Sequence, residues 1–123
     1  MTKPRSSSDR ILLGVLGRLS RRCAVLKDWN AALRGLGIDG SMDAYPCTVS
    51  SLPERLSEMM HFDRRGYIVA PDLQRAIIRY LDRLDASASD AGAVDTVFND
   101  GGVLIGFFAE DDTAHRKRIW MFA

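Results

Sequence analysis

The sequence predicts an α/β protein: a three-layer αβα sandwich around a mixed, mostly parallel sheet that finishes in a C-terminal β-hairpin. Three observations predict it. Short, continuous apolar runs such as ILLGVLG (11–17) and GYIVA (66–70) have the length of strands buried on both faces, as parallel sheets require. Stretches with apolar residues at helical spacing lie between these runs. Near the end, two apolar runs flank Asn99, Asp100, Gly101 and Gly102, residue types that supply the positive φ angles of a tight reversal.

Taken in order, residues 1–10 are Ser-rich and charged and read as a loose arm. The remainder, 11–123, is expected to form a single domain. After the first strand, Val25, Trp29, Leu33 and Leu36 make a helical stripe, widened by Leu26 and Ala32, with Gly37 placed to end it. A second strand is expected over 42–49. Ser51 and Glu54 then stand at capping-box spacing with Pro53 in the first turn, opening a helix whose face is Leu52, Leu56, Met59 and Met60. After the 66–70 strand, Asp72 is positioned to cap a third helix with Leu73, Ala76, Ile77, Tyr80, Leu81 and Leu84 on its face. Residues 85–92 suit a turn or short helix, and the hairpin strands are expected over 94–98 and 103–108.

Composition narrows the function classes. Charged residues make up 27% of the chain and net to +1, which argues against a dedicated nucleic-acid binder, since that needs a basic excess to displace counterions. No run approaches the ~20 apolar residues of a membrane span, and the polar opening MTKPRSSSDR has no signal-peptide core. Two cysteines, Cys23 and Cys47, without metal-ligand spacing read as a reduced pair in a cytoplasmic protein.

The same residues, in the same order, resemble the N-terminal substrate-binding domain of the shikimate and quinate dehydrogenases. GVLG (14–17) resembles that family's opening strand. NAALRGLGIDG (30–40) is similar to its first helix and following turn, and GYIVA to its Gly-x-Asn-Val-Thr strand. YLDRLD (80–85) follows, and AGAVDTVFNDGGVLIGF (91–107) is close to the Gly-Ala-Val-Asn-Thr-Val hairpin. The resemblance covers roughly residues 11–110.

It also implies a site, and there the chain departs from the family. The Ser-x-Ser pair that binds the hydroxy-acid falls on Arg21 and Cys23. The strand's asparagine and threonine fall on Ile68 and Ala70, and the hairpin's asparagine on Asp95. The catalytic lysine falls on Gln74, or on Leu73 if the register follows Pro71. Its partner aspartate falls on Glu110, or on Asp111 one residue on. An amide cannot exchange a proton near neutral pH, so the lysine-dependent mechanism is not expected here. No Gly-x-Gly-x-x-Gly occurs after a strand, so NADP is expected only if a separate cofactor domain partners the chain.

Arg21 admits two readings: a bidentate clamp for a carboxylate or phosphate, or a partner for Asp95 or Glu110 that fills the pocket. Asp95 and Glu110 could act as acid and base or hold a cation, or could be solvated or tied to arginine. Cys23 has no histidine near it in sequence and reads as an inert thiol. Trp29 and Trp120 read as core. HRKR (115–118) precedes the apolar end IWMFA, which either docks on its own domain or serves an interface. The expectation is a small hydroxy-carboxylate binder. The alternative is a catalytically inactive relative acting as a sensor or interaction module, through a homodimer or a nucleotide-binding partner held by the C-terminal segment.

Overall fold

The computed structural model describes residues 11–19, 21–61 and 64–109. The expected arm, Glu110, Asp111, the basic stretch and the apolar C-terminus lie outside them. Elements follow the order β1 (Ile11–Leu16), α1 (Arg22–Gly35), β2 (Gly40–Tyr45), α2 (Leu52–His61), β3 (Gly66–Val69), β4 (Arg83–Leu84), α3 (Ala86–Ala91), β5 (Thr96–Asp100) and β6 (Val103–Phe107). Two 3₁₀ turns, Pro71–Leu73 and Ala76–Tyr80, lie between β3 and β4.

The sheet runs β2-β1-β3-β5-β6-β4. β1 lies between β2 and β3 and is parallel to both. β5 turns the direction, pairing antiparallel with β3 and β6, and β4 closes the edge parallel to β6. The mixed, mostly parallel α/β sheet expected from the sequence is therefore present.

Side-chain alternation along the strands divides the core in two. Leu13, Val15 and Ile68 pack with Trp29 and Leu33 of α1 on one face. Leu16, Tyr67, Val69, Val97 and Leu104 pack on the other with Leu52, Leu56 and Met59 of α2, Leu73 and Ile77 of the 3₁₀ turns, and Ala88 of α3. Each Leu, Ile, Val or Met buried in this way contributes roughly 1.5–3 kcal/mol.

Local chemistry accounts for the element ends. Gly101 and Gly102 both adopt positive φ between Asp100 and Val103, and the Asn99 side chain accepts the Gly102 N–H at 2.8 Å. That is the two-residue loop the twist of a hairpin favours. Asp85 caps α3 by accepting the Ser87 N–H, and Gly92 ends it in the left-handed region. The Ser51 hydroxyl accepts the Thr48 N–H at 2.9 Å, so it serves the preceding turn as α2 begins.

The third predicted helix is not formed. Its stretch folds into the two 3₁₀ turns and then joins the sheet as β4, and the first turn follows Ala70 with no side-chain cap from Asp72. The reason lies in competing tertiary bonds. The Gln74 carbonyl, which would accept from Ile78 in an α-helix, accepts the Val94 N–H at 2.8 Å, and Ile78 donates to Arg75 instead. Further on, Asp82 exchanges bonds with Leu104 through its own N–H (2.9 Å) and its carboxylate (2.8 Å), and so lines the segment up on β6. A period near three suits both helix types, so the apolar face is kept while the α-helix is lost.

Candidate functional site

β1 ends at Leu16, and Gly17 turns the chain at φ +95. A Cβ there would stand 2.8 Å from the Ala70 Cβ and 2.9 Å from Leu73, so the β1–α1 connection lies directly against the connection leaving β3. The Ala70 N–H donates to the Leu16 carbonyl at 2.8 Å, and the Gly17 N–H to the Tyr45 carbonyl at 3.1 Å. These contacts bring three segments together beyond the carboxyl ends of β1 and β3.

A crevice of about 640 Å³ opens there. One wall is Arg18, Leu19, Arg21, Ala24, Val25 and Asp28; the other is Ile68, Val69, Pro71, Asp72 and Gln74, with Asp95 completing the lining. The chain leaves β1 through α1 for β2 on one side and returns through α2 to β3 on the other. The crevice thus lies at the point where the winding reverses, the general ligand site of open α/β sheets.

The start of α1 brings favourable electrostatics for an anion. Arg21 stands at the N-cap with no side-chain cap, and no acidic residue lies in the first turn. First-turn N–H groups and the positive end of the helix dipole therefore gather at this wall beside Arg18 and Arg21. Asp28, Asp72 and Asp95 carry the opposite sign.

Asp95 is 5% exposed. Its Oδ1 accepts from the Thr96 hydroxyl at 3.0 Å and from the Ala109 N–H at 2.8 Å. Its own N–H donates to the Phe107 carbonyl and its carbonyl accepts from Val69, at 3.0 and 2.9 Å. One residue thereby ties β3, β5 and β6 together at the crevice. Gln74 is also engaged, its Nε2 donating to the Val69 carbonyl at 3.1 Å.

Of the residues singled out in the sequence, Arg21, Ile68, Gln74 and Asp95 meet at the crevice. Arg21 is exposed. Ala70 is fully buried behind the lining, against the position a Gly17 side chain would take. Cys23 is exposed on α1, and Ala24 and Val25 line the crevice in that part of the helix. Glu110 lies outside the described residues. Sequence reading missed Arg18, Asp28 and Asp72. Asp28 was legible in principle, since it stands one helical turn beyond Ala24 and Val25.

Among the described residues no group of three His, Cys, Asp or Glu side chains could hold a metal ion, and no helix is long and apolar enough to cross a membrane. This crevice has no glycine-rich cradle for a nucleotide's phosphates: its β1–α1 turn has the single glycine Gly17, and the space beside it is filled by Ala70 and Leu73.

No protein-family model matches the chain. Curated relatives do. A shikimate dehydrogenase (NADP(+)) of Symbiobacterium thermophilum is 32% identical over 109 residues, 87% of this chain and 37% of that protein. That of Bacillus subtilis is 31% identical over 96 residues, 78% of this chain and 34% of that protein. The chain spans about a third of the length of such relatives. Among solved structures, a shikimate 5-dehydrogenase from Listeria monocytogenes, in complex with shikimate and NAD, superposes with a TM-score of 0.78 at 28% identity, covering 98% of this chain and 41% of that one. The Thermus thermophilus shikimate 5-dehydrogenase in complex with shikimate gives 0.72 at 32% identity, covering 79% and 37%. A 5-ketofructose reductase of Gluconobacter shares the fold at 22% identity, with a TM-score of 0.75 over 82% of this chain and 36% of that one. Sequence and superposed fold agree: over the third or so of the family's length that it spans, this chain belongs to the shikimate dehydrogenases.

Proposed function

We propose that the crevice binds a small hydroxy-carboxylate of the shikimate type, without lysine-dependent proton transfer by this chain. The reading rests above all on the position of the crevice. It lies at the carboxyl ends of β1 and β3 in a fold shared with two proteins solved in complex with shikimate. The carboxylate would meet Arg18, Arg21 and the start of α1, and the hydroxyls would meet Asp72, Gln74 and Asp95. Any nucleotide would be held outside the residues that line this crevice.

A thermal-shift titration with shikimate, quinate and 3-dehydroshikimate tests it, with phosphate as control. Ligand at 100-fold over its dissociation constant adds ~2.7 kcal/mol, or several degrees in a domain of this size. No shift from any hydroxy-acid at millimolar concentration would overturn the reading.

Gln74 favours a second reading, an inactive relative serving as a sensor or interaction module. Its amide falls where the sequence resemblance implies the family's lysine, and it is engaged with the Val69 carbonyl. A dimer on gel filtration, together with a silent thermal-shift titration, would favour this reading over the first.

A further inference from the structure

The apolar core on the α1 side of the sheet runs out into the crevice. Ile68 belongs to the cluster that holds Leu13, Val15, Trp29 and Leu33, and Leu19 and Val25 pack against that cluster while staying only partly buried. The same three residues, Leu19, Val25 and Ile68, line the crevice. They give it an apolar floor continuous with the core, and Arg18 and Arg21 add positive charge from the connection that carries Leu19. We propose that the crevice prefers a planar aromatic carboxylate, of the hydroxybenzoate class, over a polyhydroxylated alicyclic one. The inference rests on the reading of the crevice as a small-carboxylate site and names the kind of ring that bears the carboxylate.

The two classes of ring differ in what their faces present. A planar ring keeps its substituents in the ring plane, so both faces are bare carbon and a hydroxyl projects only from the edge. The ring hydroxyls of shikimate stand off both of its faces. Laid on Leu19, Val25 and Ile68, such a ring would take a hydroxyl out of water against side chains that offer it no hydrogen bond, and that transfer is unfavourable. An aromatic face would instead cover the apolar surface that Leu19 and Val25 leave exposed, a gain that grows with the area removed from water. Groups at the ring edge find partners of matching chemistry. Arg18 and Arg21 suit the carboxylate in charge and in the planar geometry of their donors. Across the crevice, Asp72 offers acceptors to a ring-edge hydroxyl.

Calorimetric titration at neutral pH with 3-hydroxybenzoate and with shikimate tests this. The wild-type chain is expected to bind 3-hydroxybenzoate about tenfold more tightly. Ile68→Thr places a hydroxyl in the floor and should narrow the preference. If Ile68→Thr does not fold, Val25→Thr, which exchanges one methyl group for a hydroxyl at a partly buried helix position, provides the check. Arg21→Gln should weaken both ligands alike, since both present a carboxylate. Equal or tighter binding of shikimate by wild type would overturn the aromatic preference and leave the carboxylate site standing. Binding of neither compound would overturn both. A preference undiminished in the threonine variants would overturn the role given to the apolar floor.

Discussion

Asn30 and Met42 are joined by two hydrogen bonds that together copy one rung of a β-ladder. The Asn30 amide donates to the Met42 carbonyl at 3.1 Å and accepts the Met42 N–H at 2.9 Å, while its second N–H reaches the Leu26 carbonyl at 2.9 Å. β2 is an edge strand, so a helix side chain here occupies backbone groups that a foreign strand could otherwise pair with. Asn30→Ala should cost about 1–3 kcal/mol for the three broken bonds. Asn30→Asp should cost more, because a second oxygen would face the Met42 carbonyl. Urea denaturation decides it: an Asp variant as stable as wild type would show that the rung contributes nothing.

Gly17 joins backbone conformation to the crevice. Alanine at φ +95 pays a left-handed penalty of about 1–2 kcal/mol. Its methyl group would also press on the Ala70 Cβ and Leu73, adding roughly 1–3 kcal/mol of overpacking. Gly17→Ala is therefore expected to lose stability and weaken carboxylate binding together, since relief of the clash moves Arg18. A midpoint unchanged in thermal melts would argue that the two connections can separate freely.

A lysine placed where the sequence resemblance implies one should not bring the family's reaction to this chain. In the 123-residue chain, Gln74→Lys is expected to show no shikimate-dependent reduction of NADP, followed at the nicotinamide absorbance. Measurable turnover by this single variant would show that the chain can hold the nucleotide by means other than a glycine-rich turn.

The two thiols should differ in reactivity. Cys23 is exposed and Cys47 buried, and burial pushes the Cys47 pKa up, outweighing the lowering by the Gly17 N–H and Arg55. Thiolate is the reactive form, so iodoacetamide near pH 8 should add to Cys23 rapidly and to Cys47 only after unfolding in urea. Mass spectrometry reads the result, and fast native labelling at Cys47 would contradict its packing.

Asp85 gives a pH dependence with a definite sign. The Ser87 hydroxyl donates to its carboxylate at 2.8 Å and the Ser87 N–H at 3.0 Å, holding the carboxyl below its ordinary range. A depressed folded-state value means the contribution is present above the unfolded value of about 4 and is lost as pH falls through the folded one. The stability gap between wild type and Asp85→Asn should therefore shrink below about pH 4. A gap constant from neutral pH down to that range would show that the charge of this cap is without effect.

Much of this architecture was legible because strong local signals agreed with the tertiary fold. The apolar run of β1, the stripe of α1 and the double glycine of the hairpin each have one good solution. The failure over residues 72–84 has a definable cause: the Gln74 carbonyl is taken by Val94, seventy-four to ninety-four being a contact no local pattern encodes. At the site, Arg21, Gln74 and Asp95 could be located through their order relative to the strands. Cys23 could not, because a helix turns about 100° per residue, and a small error in register exchanges a lining position for an exposed one. Arg18 and Asp72 have ordinary sequence surroundings, and only the close approach at Gly17 brings their connections face to face.

The position of β1 also bears on how the chain is made. Among the described strands it is the first to be synthesised, yet it lies inside the sheet, and its second neighbour is completed only at Val69. While α1 and β2 can already cover one side, the edge of Leu13 to Leu16 that later meets β3 has no partner during about fifty residues of further translation. That interval leaves an apolar strand edge open to other nascent chains, and the time spent there depends on ribosome speed and on chaperone capture. Slower elongation between β2 and β3 should therefore lower the soluble yield of this protein, even where the finished fold is unchanged.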